Sequence, residues 1–187
     1  MDVFEINAGN FREPANAALL KQVIEIQKEN FRDEESESKS FLLTVWSEEE
    51  LMALASKGSS FFVCSDHGIL VGYFAISSLT DFLKQLDESL KNNFDHSVLN
   101  NSKPWAYLYQ ICVRRGRQGA GISKLIAAEV VRRRPGTSFV SDYLISPWKN
   151  EGSEKMFLSF GFKKSGEMLL ASYRGVESTL WQIVTSP

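Results

Sequence analysis

An α/β (α+β) fold is predicted for this chain, and three runs of residues predict it. Residues 105–113 read as a strand that passes through a glycine-bearing turn into a helix ending at Arg132-Arg133-Arg134. Residues 60–65 and 69–77 are β-rich and joined by Asp66-His67-Gly68, the composition of a tight hairpin. Residues 14–31 carry Leu19, Leu20, Val23, Ile24 and Ile26 near helical spacing. Strand and helix signals thus alternate along the chain, as a sheet with packed helices requires.

The 187 residues suit a single domain, 1–187, with a sizeable core, and 43% hydrophobic with 24% charged residues is ordinary globular composition. No stretch nears the ~20 apolar residues of a membrane span, and the start MDVFEINAGN lacks a signal peptide's regions. A soluble cytoplasmic protein with no membrane partner is expected. Net charge −2 argues against a nucleic-acid partner. Cys64, Cys112, His67 and His96 are too few and too scattered for a structural metal site, so no metal is expected, and both thiols fall in β-runs where burial is the default.

Taken in order, Val3, Phe4 and Ile6 open a short strand, and the helix over 14–31 follows. Arg32-Asp33-Glu34-Glu35-Ser36-Glu37-Ser38 is an acidic linker that hints at a cationic partner. Ser47 and Glu50 have capping-box spacing and start a helix through Leu54. After the hairpin, whose His67 is expected to be solvated, residues 81–94 read as a helix with Phe82, Leu83, Leu86 and Leu90 on one face. The strand at 105–113 is apolar on both faces and belongs in the middle of a sheet. Ile122, Leu125, Ile126 and Val130 mark the buried face of the next helix. A strand at 138–145, a helix at 151–160 closed by Gly161, and two strands from Phe162 and from Ser178 complete the chain.

Between the strand at 105–113 and its helix lies Arg114-Arg115-Gly116-Arg117-Gln118-Gly119-Ala120-Gly121. Glycines let successive amides turn inward, and a helix N-terminus adds unpaired N–H groups with roughly half a positive charge, so the turn is an anion site. A phosphate suits the three arginines, of which Arg114 and Arg115 either steer the anion or are solvated. A P-loop requires GxxxxGK[ST], but Ile122-Ser123 follows Gly121 and the lysine is missing. A dinucleotide fingerprint fails at Lys124.

This stretch resembles the acetyl-CoA signature of the GCN5-related N-acetyltransferases (GNAT), a strand ending in valine, a turn [QR]xxGx[GA] and a helix. Two registers are open: Arg117-Gln118-Gly119-Ala120-Gly121-Ile122, which leaves Ser123-Lys124-Leu125 at the usual distance, and Gly116 to Gly121, which keeps the glycines. A second resemblance follows in order. Asn150, Ser153, Met156, Phe157, Gly161 and Phe162 reproduce the family pattern NxxAxxlYxxxGF. The resemblance implies a mixed, mostly antiparallel central sheet of about seven strands flanked by helices, with a V-shaped splay between the fourth and fifth. It also makes residues 80–103 an insertion that could cover an acceptor or form a homodimer contact.

As cofactor the resemblance implies acetyl-CoA. Backbone groups of Ile111, Cys112 and Val113 would pair with its pantetheine arm, Arg117, Gln118, Gly119, Ala120, Gly121, Ile122 and Ser123 would hold its pyrophosphate, Asn150 would touch the arm, and Phe157 would lie near the sulfur. The reaction implied is attack of a small-molecule or protein amine on the acetyl carbonyl. An alkylamine with pKa about 10.4 is neutral roughly one time in two thousand at pH 7, so a base or a desolvating site is needed. The family's usual glutamate on the fourth strand is absent, Tyr107, Tyr109 and Gln110 standing there, and Phe157 replaces its usual acid tyrosine. Tyr109 and Tyr143 are the remaining hydroxyl candidates. Two readings follow, an N-acetyltransferase and a CoA-binding, catalytically weak module of the same fold with a regulatory or interaction role.

Overall fold

The computed structural model describes residues 1–32, 41–99 and 103–187. The acidic linker at 33–38 lies outside the described residues. The elements are β1 (Asp2–Ile6), α1 (Pro14–Asn30), α2 (Glu48–Ser56), β2 (Ser60–Asp66), β3 (Ile69–Ser78), α3 (Leu79–Asp87), β4 (Lys91–Asn92), β5 (Trp105–Val113), α4 (Ile122–Arg133), β6 (Ser138–Ser146), α5 (Glu151–Ser159), β7 (Lys163–Tyr173) and β8 (Val176–Thr185). The hydrogen-bonded strand order is β1-β2-β3-β5-β6-β8-β7-β4, mixed and mostly antiparallel. The expected fold class therefore holds, with eight strands among the described residues rather than about seven. The expected fourth and fifth strands are β5 and β6.

Two compact units divide the chain. The first takes residues 1–32, 42–77 and 108–135, the second residues 41, 78–99, 103–107 and 136–187. In the first, β1 pairs with β2 and β2 with β3, Phe4 facing Val63 and Phe62 facing Phe74 in register. His67 and Gly68, at φ 52° and 81°, form the tight turn between β2 and β3. Helices α1 and α2 bury Leu20, Val23, Ile26 and Leu51 in a core with Phe61 and Tyr73. The Ser47 capping box forms as expected: Glu50 N–H donates to Ser47 Oγ at 3.1 Å and Ser47 N–H to Glu50 Oε2 at 2.8 Å. Helix α4 buries Ile122, Ile126 and Val130, whereas Leu125 is 44% exposed and leaves the expected buried face.

In the second unit β5 and β6 pair in parallel, Trp105–Tyr107 against Ser138–Val140. The ladder ends at Tyr107 and Val140, while β5 runs on to Val113 and β6 to Ser146. β7 and β8 form a long hairpin through Arg174 and Gly175, both at positive φ, so β8 begins two residues before the expected Ser178. β7 starts at Lys163, one residue past the expected Phe162. The helix expected over 81–94 spans only Leu79–Asp87. Its chain leaves the helix at Ser89, whose hydroxyl donates back to Leu86 O, and Lys91–Asn92 pairs with Leu169 and Met168 of β7. Leu90 is consequently exposed instead of lying on a buried face.

Candidate functional site

The turn after β5 is held from below by α1. Asn30 Nδ2 donates to Ile26 O at 2.8 Å and Val113 O at 3.3 Å, and Asn30 Oδ1 accepts from Gln118 Nε2 at 3.1 Å. One side chain therefore fixes both the end of β5 and the loop. Gly72 of β3 completes the seat: a Cβ there would lie 2.9 Å from Ile122 Cγ2 and 3.1 Å from Cys112 O, so only glycine lets the start of α4 approach this closely.

Within the loop Gly116, Gly119 and Gly121 have φ of 83°, 81° and 78°, and nothing lies within 4 Å of where their Cβ atoms would be. Gly121 is the N-cap of α4 and no side chain caps that helix. The first-turn amides have no intrahelical acceptor, so Ile122 and Ser123 present donors at the positive end of a helix. Backbone amides of Arg117 and Ala120 close the turn onto Arg114 O and Arg117 O at 3.0 and 3.4 Å. The cradle accordingly fits an anion, and both registers of the expected pyrophosphate loop share it.

The arginines divide their roles. Arg114 is not solvated: its Nε donates to Leu70 O and its Nη1 lies 2.7 Å from Glu29 Oε1, with Glu25 at 3.5 Å. Arg114 thus fastens the turn to α1, and its charge is offset. Arg117 pairs with Asp66 at 3.2 Å on the surface, and Arg115 is exposed.

Upstream on β5, Gln110 Oε1 accepts from Gln27 Nε2 at 3.1 Å and from the Tyr73 hydroxyl, and Gln27 Oε1 accepts from Trp46 N–H at 2.7 Å. Tyr109 packs its ring 5.5 Å from that of Trp46. Cys112 is buried, and burial pushes its thiol up to about 12, which removes it as a thiolate near neutrality. Ile111, Cys112 and Val113 thus form a strand continuous with the loop.

In the second unit Asn150 caps α5, its Oδ1 accepting from Ser153 N–H at 3.1 Å while its Nδ2 donates to Phe41 O at 2.8 Å. Phe157 is buried and stacks on Tyr143, ring centroids 6.2 Å apart and 20° from parallel. The Tyr143 hydroxyl donates to Glu154 Oε1 at 3.2 Å, and burial, reinforced by the Glu154 charge, raises the Tyr143 pKa. Phe157 and Tyr143 thus lie against one another, while Asn150 stands at the N-cap of the helix that carries Phe157.

Sequence reasoning missed Asp142. It is the one charged residue in β6, and that position in an apolar run was the available signal. Its Oδ2 accepts from the Tyr107 hydroxyl at 2.7 Å, and burial pushes its pKa up to about 6 against that hydrogen bond. Among the described residues no cluster of three or more His, Cys, Asp or Glu is placed to hold a metal ion.

A profile of the Acetyltransferase (GNAT) family matches residues 20–162. The chain belongs to the GNAT acetyltransferase family. No curated protein matches it. Solved structures show the GNAT fold at low identity. The ribosomal-protein-S18-alanine N-acetyltransferase from Escherichia coli aligns with 100% of this chain and 94% of its own, at TM-score 0.62 and 12% identity. NAA60 from Arabidopsis thaliana, solved in complex with a bisubstrate analogue, aligns with 99% of this chain and 98% of its own, at TM-score 0.60 and 14% identity. An aminoglycoside 6'-N-acetyltransferase complexed with coenzyme A aligns with 99% of this chain and 97% of its own, at TM-score 0.59 and 14% identity.

Proposed function

We propose that this chain transfers an acetyl group from acetyl-CoA to a primary amine by direct attack. The observation that carries the reading is the anion cradle at Gly116, Gly119 and Gly121, open where side chains would stand and continuous with the uncapped start of α4. Its fit to a pyrophosphate rests on backbone donors, which need no particular side chains. Acetyl-CoA, when bound, supplies the activated acyl group. Amides from Gln118 to Ser123 hold its phosphates, with Arg117 beside them. Backbone groups of Ile111 to Val113 take its pantetheine arm.

Tyr143 keeps its proton through neutral pH, which is the state a donor to a departing thiolate must have. Phe157 gives it a packing surface. Tyr109 is the second hydroxyl of the reading, held against Trp46. Relatives of the same fold whose names identify a ribosomal-protein alanine and an aminoglycoside as acceptors support an amine acceptor on a protein or a small molecule.

Calorimetric titration with acetyl-CoA tests the cradle. Wild type is expected to bind in the micromolar range and Gly119→Glu, whose carboxylate repels the pyrophosphate, is expected not to. Thiol release in a panel of amines and N-terminal peptides then reports transfer. A folded wild type that fails to bind overturns the reading. Binding with no thiol release from any amine would leave a CoA-binding module in its place.

A further inference from the structure

The last turn of α1 closes on the glycine-bearing turn of the first unit, and one buried amide there has a partner for each of its polar atoms. Asn30 is 3% exposed. Its Nδ2 donates to Ile26 O at 2.8 Å and to Val113 O at 3.3 Å, and its Oδ1 accepts from Gln118 Nε2 at 3.1 Å. The two carbonyls can only accept, which fixes the amide in this orientation, since a turned amide would set Oδ1 against both. A site that asks one short side chain for two donors and an acceptor excludes most residue types. An aspartate carboxylate has no donor, serine and threonine have one, and leucine, of similar size, has none.

The turn needs support of this kind. Gly116, Gly119 and Gly121 stand at φ 83°, 81° and 78°, and glycine loses more conformational freedom on ordering than any other residue. Inside the turn the backbone supplies Arg117 N–H to Arg114 O at 3.0 Å and a longer bond, Ala120 N–H to Arg117 O, at 3.4 Å. From outside, Glu29 Oε2 accepts from Arg115 N–H at 3.1 Å where the turn begins, and Arg117 meets Asp66 in a surface ion pair, a class of contact that contributes little. Gln118 lies between Gly116 and Gly119, and its partner Asn30 is a buried group at the end of a 17-residue helix. The middle of the turn is thus tied to rigid structure by the Gln118–Asn30 bond, and its start by the Asn30–Val113 bond.

We infer that Asn30 is a positioning residue for the phosphate-bearing end of acetyl-CoA: it sets the glycine turn in its binding shape before the cofactor arrives, and it acts through the Gln118 side chain. The inference rests on the acetyltransferase reading. A turn with three glycines that had to be ordered at the moment of binding would lose that ordering entropy from its affinity, whereas a turn ordered beforehand does not. The cradle itself is backbone, so its affinity depends on how well its amides are held and not on which side chains surround the phosphates. Asn30 is buried under the turn and supplies that hold from α1.

One measurement needs no ligand. Nitrogen-15 relaxation of the cofactor-free protein is expected to give the amides from Gly116 to Gly121 order parameters near the ~0.85 of rigid backbone, falling below ~0.6 in Asn30→Ala and in Gln118→Ala. Gln118 is exposed, so its variant removes the same bond and leaves the core intact should Asn30→Ala fail to fold. Calorimetry with acetyl-CoA then closes a double-mutant cycle. Each single variant is expected to bind about tenfold more weakly, and the double variant no more weakly than Asn30→Ala alone, because the two side chains act as one tether. An Asn30 that only stabilised the fold would give losses that multiply. Unchanged order parameters in a folded variant, or multiplying losses, overturn the inference and leave the acetyltransferase reading standing. Wild type that binds no acetyl-CoA overturns that reading, and the order parameters then decide by themselves whether Asn30 orders the turn.

Discussion

Gln110 occupies the strand where the family resemblance expects a glutamate, and one backbone donor decides what it does instead. Trp46 N–H can only donate, so the Gln27 atom against it is Oε1; Gln27 Nε2 then faces Gln110, whose acceptor must be Oε1. Tyr73 adds a second donor to the same oxygen, and burial holds the Tyr73 pKa well above its ordinary value, so that hydroxyl stays protonated. Gln110 therefore turns its amide N–H₂ away from the network, as a donor and not a base. Gln110→Leu would leave the Gln27 amide and the Tyr73 hydroxyl without their acceptor in a buried site, at about 1–3 kcal/mol for each orphaned group. Urea unfolding is expected to show a lower midpoint with an unchanged m-value; a midpoint within error of wild type would mean the network contributes nothing. None of this network is legible in the sequence, because its partners lie 83 and 37 residues from Gln110.

At the scale of elements, what was legible is what periodicity and local capping control. β5 ends where its alternation ends, α2 starts at its capping box, and Gly68 marks its hairpin. Apolar spacing carries on to Leu90 and so predicts a longer α3 than forms, while the pairing that stops the helix, Lys91–Asn92 on β7, comes from more than seventy residues away. Charge partners are equally non-local. Glu154 of α5 collects Lys149 at 2.6 Å and Lys164 at 2.8 Å, and these hydrogen bonds, Lys149 first, hold its pKa down to about 2. A carboxyl depressed in the folded state stabilises fully above its unfolded pKa, and that stability is lost as the pH falls through the folded value. Glu154→Gln is thus expected to be less stable than wild type at pH 7, with the difference shrinking from about pH 4.5 down to about pH 2. Both lysines are half-exposed, which keeps the effect on the order of 1 kcal/mol or less. A stability difference that stays constant across a pH series of denaturation curves would rule the ion pairs out as its source.

Over the whole molecule, the family is legible because its two motifs are local runs in order, and because the proposed cofactor cradle consists of backbone, which glycine spacing announces. The hydrogen bond between Tyr107 and Asp142 is not legible in the same way, because its partners lie 35 residues apart. A ligand that binds only the folded chain stabilises all of it by mass action. Acetyl-CoA at a hundredfold over its Kd should contribute about 2.7 kcal/mol. For a chain of 187 residues that corresponds to roughly 5–10 °C in Tm. Gly119→Ala and Gly119→Glu share the backbone strain of a side chain at φ 81°, so both start from a lower Tm than wild type, and only the second adds a carboxylate to the cradle. The alanine variant is expected to keep most of the acetyl-CoA shift, since no atom lies within 4 Å of its new Cβ, and the glutamate variant to lose it. Equal shifts in all three proteins would place the phosphates somewhere other than this turn.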